Sequence, residues 1–292
     1  MKFEKKLQVL ADYILSDNSI PLDSFEGYTA KELMQILGKP FTPGSVLTLN
    51  KLPDEEILKV PIVSSALFLL REIKDSGNRM ELGPIETLPT EIAKKLLNHS
   101  DLKVLPQEVL DPGEEHNTLV VDCVYSACLS SGLIDIVDEF VSLSALGEAA
   151  LTDLNALLDS IVNAFLSIDF WYYFDDIQED ISFTKYGYVF MLLHRYGASI
   201  KDITFYINHF KLIILQAITN NKAVLSEDEL TAFIFRVFNT MLPLLGIANI
   251  VRDKGGFPLK VYTNELFRKM ISCKQPNKSH KLKTDFSALG LQ

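Results

Sequence analysis

Apolar positions along the chain recur mostly at the three-and-four spacing of an amphipathic helix, and only in short stretches at the alternation of a strand. Leu7, Leu10, Ile14 and Leu15 begin that helical pattern, and Pro40, Pro43, Gly44 and Pro53 then interrupt any long element. The charged run Asp54, Glu55, Glu56 and Lys59 reads as a solvated helix start or linker. From Pro61 the stripe sharpens: Ala66, Leu67, Leu70 and Ile73 share one helical face, Gly77 stops it, and 80–85 reads as a short strand. A helix can begin at Pro89, since a first-turn proline forfeits no intrahelical hydrogen bond, with Ile92, Ala93, Leu96 and Leu97 as its buried stripe. An acidic loop (Asp111, Glu114, Glu115) leads into a predicted helix over 118–131. Leu154, Leu157, Leu158, Ile161, Val162 and Phe165 form a wider stripe. Ser226-Glu227-Asp228-Glu229 is a capping box ahead of a helix carrying Phe233, Ile234, Val237, Phe238, Met241 and Leu242. That helix and the one over 203–218 are apolar nearly all round, as buried helices are, which makes the second half the expected stable heart of the molecule.

The pattern also repeats. Gly132-Leu133-Ile134-Asp135-Ile136-Val137 matches Gly246-Ile247-Ala248-Asn249-Ile250-Val251, and in both a glycine ends an apolar helix where a β-branched strand begins. Val141-Ser142-Leu143-Ser144-Ala145-Leu146-Gly147 matches Ile181-Ser182-Phe183-Thr184-Lys185-Tyr186-Gly187, with a weaker copy at Val261-Tyr262-Thr263. Each reads as a strand followed by a Ser or Thr whose hydroxyl can cap the next helix. The unit is helix, glycine stop, strand, turn, strand, cap, helix, which is the wing of a winged-helix domain. A two-stranded ribbon is marginal alone and must lie on helices. The predicted fold is mainly α with small antiparallel β wings, in two to three winged-helix-like units. Its expected divisions are an N-terminal helix and linker at 1–60, a first winged-helix-like unit at 61–152 and a linking helical unit with a β-hairpin at 153–200. A second winged-helix-like unit at 201–272 and a basic C-terminal tail at 273–292 complete it.

Hydrophobic residues make up 48% of the 292 and charged residues 23%, a globular balance that excludes a mostly disordered, collagen-like or multi-span membrane chain. Lys2, Lys5 and Lys6 precede 7–15, which contains Gln8 and Asp12 and so reads as an amphipathic helix rather than a secretory signal. The stretch 203–218 contains His209 and Lys211 and is shorter than the ~20 apolar residues a membrane span needs. A cytoplasmic protein with no membrane association is expected. Cys123 and Cys128 miss the redox and zinc spacings. Val121, Val124, Ala127 and Leu129 around them make them small buried hydrophobes.

In order along 62–270, the chain carries Leu88-Pro89, the Gly132-Leu133 stretch with Ser144 and Gly147, Leu192-Leu193-His194-Arg195-Tyr196-Gly197, and a closing stretch with Thr263 and Leu266-Phe267. This series resembles an uncharacterised group of bacterial proteins, some plasmid-borne, with winged-helix-like regions. The resemblance implies a bacterial, cytosolic, winged-helix-like protein. The group has no settled activity, so no functional residue is carried over from it.

Charge bears on whether such a fold binds DNA. Winged helices often lay a recognition helix in the major groove, and Lys and Arg contacts to phosphate supply most of the affinity. The net charge of -10 repels polyanions as a whole. The predicted helix over 118–131 has no Lys or Arg and contains Asp122, and the later candidate at 229–245 has only Arg236. Residues 252–285 behave differently, with nine basic residues against three acidic ones. Candidate nucleic-acid contacts there are Arg252, Lys254, Lys260, Arg268, Lys269, Lys274 and Lys278. The same cations could equally form a solvated tail docked on the acidic body.

Asp175-Asp176-Ile177-Gln178-Glu179-Asp180 superficially resembles the Asp-rich motif of isoprenoid synthases, where carboxylates hold magnesium and diphosphate. That chemistry needs a second metal-binding motif, and none stands near 219–229. The flanks Trp171-Tyr172-Tyr173-Phe174 and Ile181-Ser182-Phe183-Thr184 favour strands, which would put the acids in a hairpin turn. Nucleotide-binding glycine loops, zinc-protease signatures and the nucleophile elbow are absent, and the five histidines form no ligand-spaced pair. His194 could act as a general base, or simply sit hydrogen-bonded at a helix edge. The reading is therefore a non-enzymatic interaction protein without a cofactor. It would bind a protein partner in the apolar groove between units, as such grooves accept a helix or strand. The alternatives are a DNA-binding transcriptional regulator using the basic closing wing and tail, and a carboxylate-metal enzyme at 175–180.

Overall fold

The computed structural model describes residues 25–99, 118–175, 186–217 and 227–276. Helix α1 (Ala30–Gly38) opens on a capping box in which the Thr29 hydroxyl accepts from the Glu32 amide at 3.1 Å and the Glu32 carboxylate accepts from the Thr29 amide at 2.9 Å. Strand β1 (Leu47–Leu49) and the single turn α2 (Asp54–Ile57) follow. Helix α3 (Pro61–Asp75) buries residues on all sides except at its C-terminal end, where Gly77 takes φ +79°. Strand β2 is confined to Met80–Glu81, shorter than the predicted 80–85, because Pro84 starts a 3-10 turn. Helices α4 (Thr90–Asn98) and α5 (Thr118–Ser130) precede a ribbon of β3 (Ile134–Val137) and β4 (Phe140–Leu143). The three strands form an antiparallel sheet in the order β2-β4-β3.

Three helices then intervene: α6 (Ala145–Ala150), α7 (Leu154–Phe165) and α8 (Ile168–Asp175). After them come α9 (Gly187–Tyr196), β5 (Lys201–Asp202), α10 (Ile203–Ala217) and α11 (Glu227–Ile234). A π-helical stretch, Phe235–Met241, joins α11 to α12 (Leu242–Leu245). It ends just before Pro243, which has no amide to offer the Asn239 carbonyl. A second ribbon, β6 (Ala248–Arg252) and β7 (Pro258–Thr263), completes an antiparallel sheet in the order β5-β7-β6. Helix α13 (Glu265–Met270) and β8 (Ile271–Cys273) follow, and β8 pairs antiparallel with β1, Leu47 opposite Cys273.

The structure is mainly helical with small antiparallel sheets, as the hydrophobic pattern predicts. Helix, short strand, helix, helix, strand, strand occurs twice among the described residues, from α3 to β4 and from α9 to β7, and each sheet places its strands in the order first, third, second. The second copy opens at Gly187, ahead of the expected start at 201, since α9 supplies its first helix. Both copies share one buried cluster. A Cβ on Gly246 would stand 2.8 Å from Pro61 Cδ, so the end of one copy's third helix lies against the start of the other's first.

The strand expected at Trp171-Tyr172-Tyr173-Phe174 is helical instead. Helical spacing brings Phe170, Trp171 and Phe174 together against Phe165, with ring centroids 4.7 Å apart for Phe170 and Trp171 and 5.5 Å for Phe170 and Phe174. The buried Trp171 indole donates to the Phe165 carbonyl at 2.9 Å. Packing three rings together, with Phe170 and Trp171 fully buried, outweighs the strand propensity of the string. Helix α8 ends at Asp175, so 176–180 of the acidic string, the expected strand at 181–184, the stripe at 7–15, Ser226 of the capping box and the tail beyond 276 lie outside the described residues.

Candidate functional site: the second ribbon

Both ribbons stand on the same base. Gly132 and Gly246 end the preceding helices in the left-handed region at φ +70° and +64°, where glycine is at ease. The next residues, Leu133 and Ile247, are fully buried. In the first ribbon the Ser144 hydroxyl donates to the Gly132 carbonyl at 2.6 Å and accepts from the Gly147 amide at 3.0 Å, while the Ser144 amide donates to Leu133 at 3.1 Å. In the second the Asn264 side-chain amide donates to the Gly246 carbonyl at 2.7 Å, its Oδ1 accepts from the Phe267 amide at 3.1 Å, and its backbone amide donates to Ile247 at 3.2 Å. One residue thus closes each ribbon and caps the next helix. The sequence pointed to Thr263 for that role in the second copy. Asn264 performs it, since asparagine caps as well as serine, and the Thr263 hydroxyl and amide instead donate to the Gly197 carbonyl at 3.0 and 2.8 Å, tying the ribbon to the end of α9.

The tip of the second ribbon is a built loop. Asp253 Oδ1 accepts from the amides of Gly255 and Phe257 at 2.9 and 2.8 Å, and Gly256 takes φ +81°. Val251 stands opposite Lys260 and Arg252 opposite Pro258, so Leu259 is an extra, bulged residue on β7. The bulge and loop leave Val251, Phe257 and Leu259 between 41 and 48% exposed. Lys254 and Lys260 are exposed beside them and form no ion pair among the described residues.

The predicted basic residues divide by role. Arg252 is half-buried and donates to Asn239 Oδ1 at 2.5 Å, Gly256 O at 2.9 Å and Phe238 O at 3.0 Å, fastening the ribbon to the helix below it. Lys254 and Lys260 share the ribbon with it. Arg268 and Lys269 lie on α13, where Lys269 pairs with Glu56 at 3.2 Å and Glu265 at 2.8 Å. Glu56, bonded to Lys59 and Lys269, and Glu265, bonded to Lys269, are both held below the usual carboxylate range. Lys274 is exposed next to β8, and its carbonyl accepts from the Tyr28 hydroxyl at 2.8 Å. Lys278 lies outside the described residues. The third helix of neither copy offers a basic outer face. No described side chain of α5 is exposed, and α11 exposes Glu227, Asp228 and Thr231. Arg236 is buried at 1% exposure, with its guanidinium 5.4 Å from the Trp171 ring centre.

A second polar cluster carries no signal in the sequence, because its members come from distant segments. Glu26, at φ +59°, pairs with Arg195 at 3.2 Å and lies 3.4 Å from His209 Nε2, and it accepts from the Tyr196 hydroxyl. The Arg195 guanidinium also donates to the Glu26 carbonyl. This cluster fastens the segment ahead of α1 to α9 and α10. His194 is half-buried near the Phe267 ring, and burial lowers its pKa. It makes no hydrogen bond among the described residues that would orient it as a base. Cys123 and Cys128 are buried, and burial pushes the Cys128 thiol up to about 12. Among the described residues no three His, Cys, Asp or Glu side chains are grouped to hold a metal ion, and no helix is long and apolar enough to cross a membrane. No protein-family model, curated protein or solved structure matches the chain.

Proposed function

We propose that this chain is a non-enzymatic interaction protein built from two winged-helix-like units, and that it docks a protein partner through the second ribbon. One observation carries the reading. Val251, Phe257 and Leu259 are exposed together on a single ribbon, flanked by Lys254 and Lys260, while the helices that would enter a DNA groove present no exposed Lys or Arg among the described residues. Single exposed apolar residues need no explanation, but three gathered beside cations that form no ion pair among the described residues fit the apolar centre and polar rim of a docking site. The two units share one core, so the docking surface is assigned to this ribbon rather than to a groove between them.

A photo-reactive residue at Phe257 in the full chain tests this. A protein adduct that disappears with Val251→Ser/Leu259→Ser supports the reading. No adduct, or one that survives those changes, refutes it. A second reading, DNA contact by the same ribbon, is favoured by the exposure of Lys254 and Lys260. It predicts duplex binding that weakens steeply with salt. Lys254→Glu/Lys260→Glu abolishes that binding and Leu259→Ser leaves it intact.

A further inference from the structure

The two ribbons are complementary to one another. The first, over 133–144, carries Asp135, Asp138 and Glu139 and no cation. All three acids are exposed and form no ion pair among the described residues, and Val137 between them is 61% exposed. The second, over 248–263, carries Arg252, Lys254 and Lys260 against Asp253 alone, with its own exposed apolar trio. Strands β3 and β6 each lie at an edge of a three-stranded sheet, with one row of backbone groups unpaired by any other strand among the described residues. An edge strand is a template for another strand, and charge decides which strand it accepts.

We infer that the partner of the second ribbon is a second copy of this chain, whose first ribbon lays its acidic, Val137-bearing edge strand against the basic, apolar ribbon. The inference rests on the docking reading above and names its partner. Because the contact joins two different surfaces, it is head-to-tail and builds rings or open chains rather than a two-fold dimer. Asp135 and Glu139 meet Lys254 and Lys260, and Val137 covers part of the apolar trio.

Sedimentation of the full chain over a wide concentration range tests it. The wild type is expected to associate reversibly, and added salt to weaken the association. Asp135→Lys/Glu139→Lys makes both ribbons basic, and Lys254→Glu/Lys260→Glu makes both acidic. Each variant alone should weaken self-association about tenfold or more, and an equimolar mixture should restore it, because unlike ribbons then meet again. Unchanged thermal melts show that the variants fold. A wild type that stays monomeric throughout, or variants that associate as strongly as it does, overturns the inference. If the photo-reactive Phe257 chain still joins a different protein in that case, the docking reading survives and only the identity of the partner fails.

Discussion

The two ribbons share a foundation and differ at the tip. In each, a left-handed glycine ends a buried helix, the next residue is buried, and a single polar side chain returns to that glycine while capping the following helix. Above this level they diverge. The first turns tightly through Asp138 and Glu139, both at positive φ, and carries only negative charge at its tip. The second has a five-residue loop over 253–257, a bulge at Leu259, cations and exposed apolar side chains. The base therefore answers to folding, and the tip is free to answer to a partner. Substitutions at the base should change stability, and substitutions at the tip should change association alone.

The largest effect should come from a place just past the caps where the bases differ sterically. Three residues past the cap, the first copy has Gly147 and the second has Phe267, which is 1% exposed. A Cβ on Gly147 would lie 2.0 Å from the Leu133 carbonyl oxygen, closer than packing permits, and the obstruction is backbone rather than a movable side chain. Gly147→Ala should destabilise by on the order of 3 kcal/mol or more. Phe267→Ala should cost about 3 to 4 kcal/mol by opening a cavity. Denaturant midpoints measure both, and a tolerated Gly147→Ala would mean that the first ribbon can lift from its helix.

Next come the caps. Asn264→Ala removes two side-chain hydrogen bonds and Ser144→Ala removes the equivalent two. Each should lower stability by about 1 to 2 kcal/mol, seen in thermal melts with the self-association of the remaining folded protein unchanged. Arg252 tests the boundary between base and tip. It was a candidate contact residue by charge, yet its guanidinium is engaged with Asn239, Phe238 and Gly256. Arg252→Ala should lose about 1 to 2 kcal/mol, and Lys254→Ala, two residues along, less than about 0.5 kcal/mol. Equal effects would erase the distinction.

How much of this was legible depends on distance along the chain. The glycine stops and the ribbons are local, since a run such as Ile134 to Val137 needs only its neighbours to be read. Ser144 was legible as a cap for the same reason. Asn264 was not, because Thr263 beside it offered a hydroxyl whose actual acceptor, Gly197, lies far back in the sequence. The aromatic string at Trp171 misled because its strand propensity is local while its helical form depends on Phe165 and on rings brought in by the fold. The β1–β8 pairing and the Glu26 cluster join residues more than 160 positions apart. No spacing rule reaches that far. Charge pointed to the second ribbon, but only the structure separates Lys254 and Lys260, which face solvent, from Arg252 and Lys269, which are engaged with the protein.

The smallest effect concerns pH, and it distinguishes the copies by their first helices. Helix α9 carries His194, whereas α3 has no histidine. Burial lowers the His194 pKa below its ordinary value. The unfolded chain then takes up a proton at a higher pH than the folded chain does. The resulting contribution to stability is complete above the unfolded value near ~6.5 and declines as the pH falls through the interval down to the lowered folded value. The melting temperature should drop between about pH 7.5 and pH 5.5, and His194→Gln should flatten that slope. Hydrogen exchange adds the spatial test. Acid should loosen amides of α9 and β7, which Thr263 ties together through Gly197, before those of α3 and β4. Equal loosening of both copies, or a slope that survives His194→Gln, would place the responsible proton on another group.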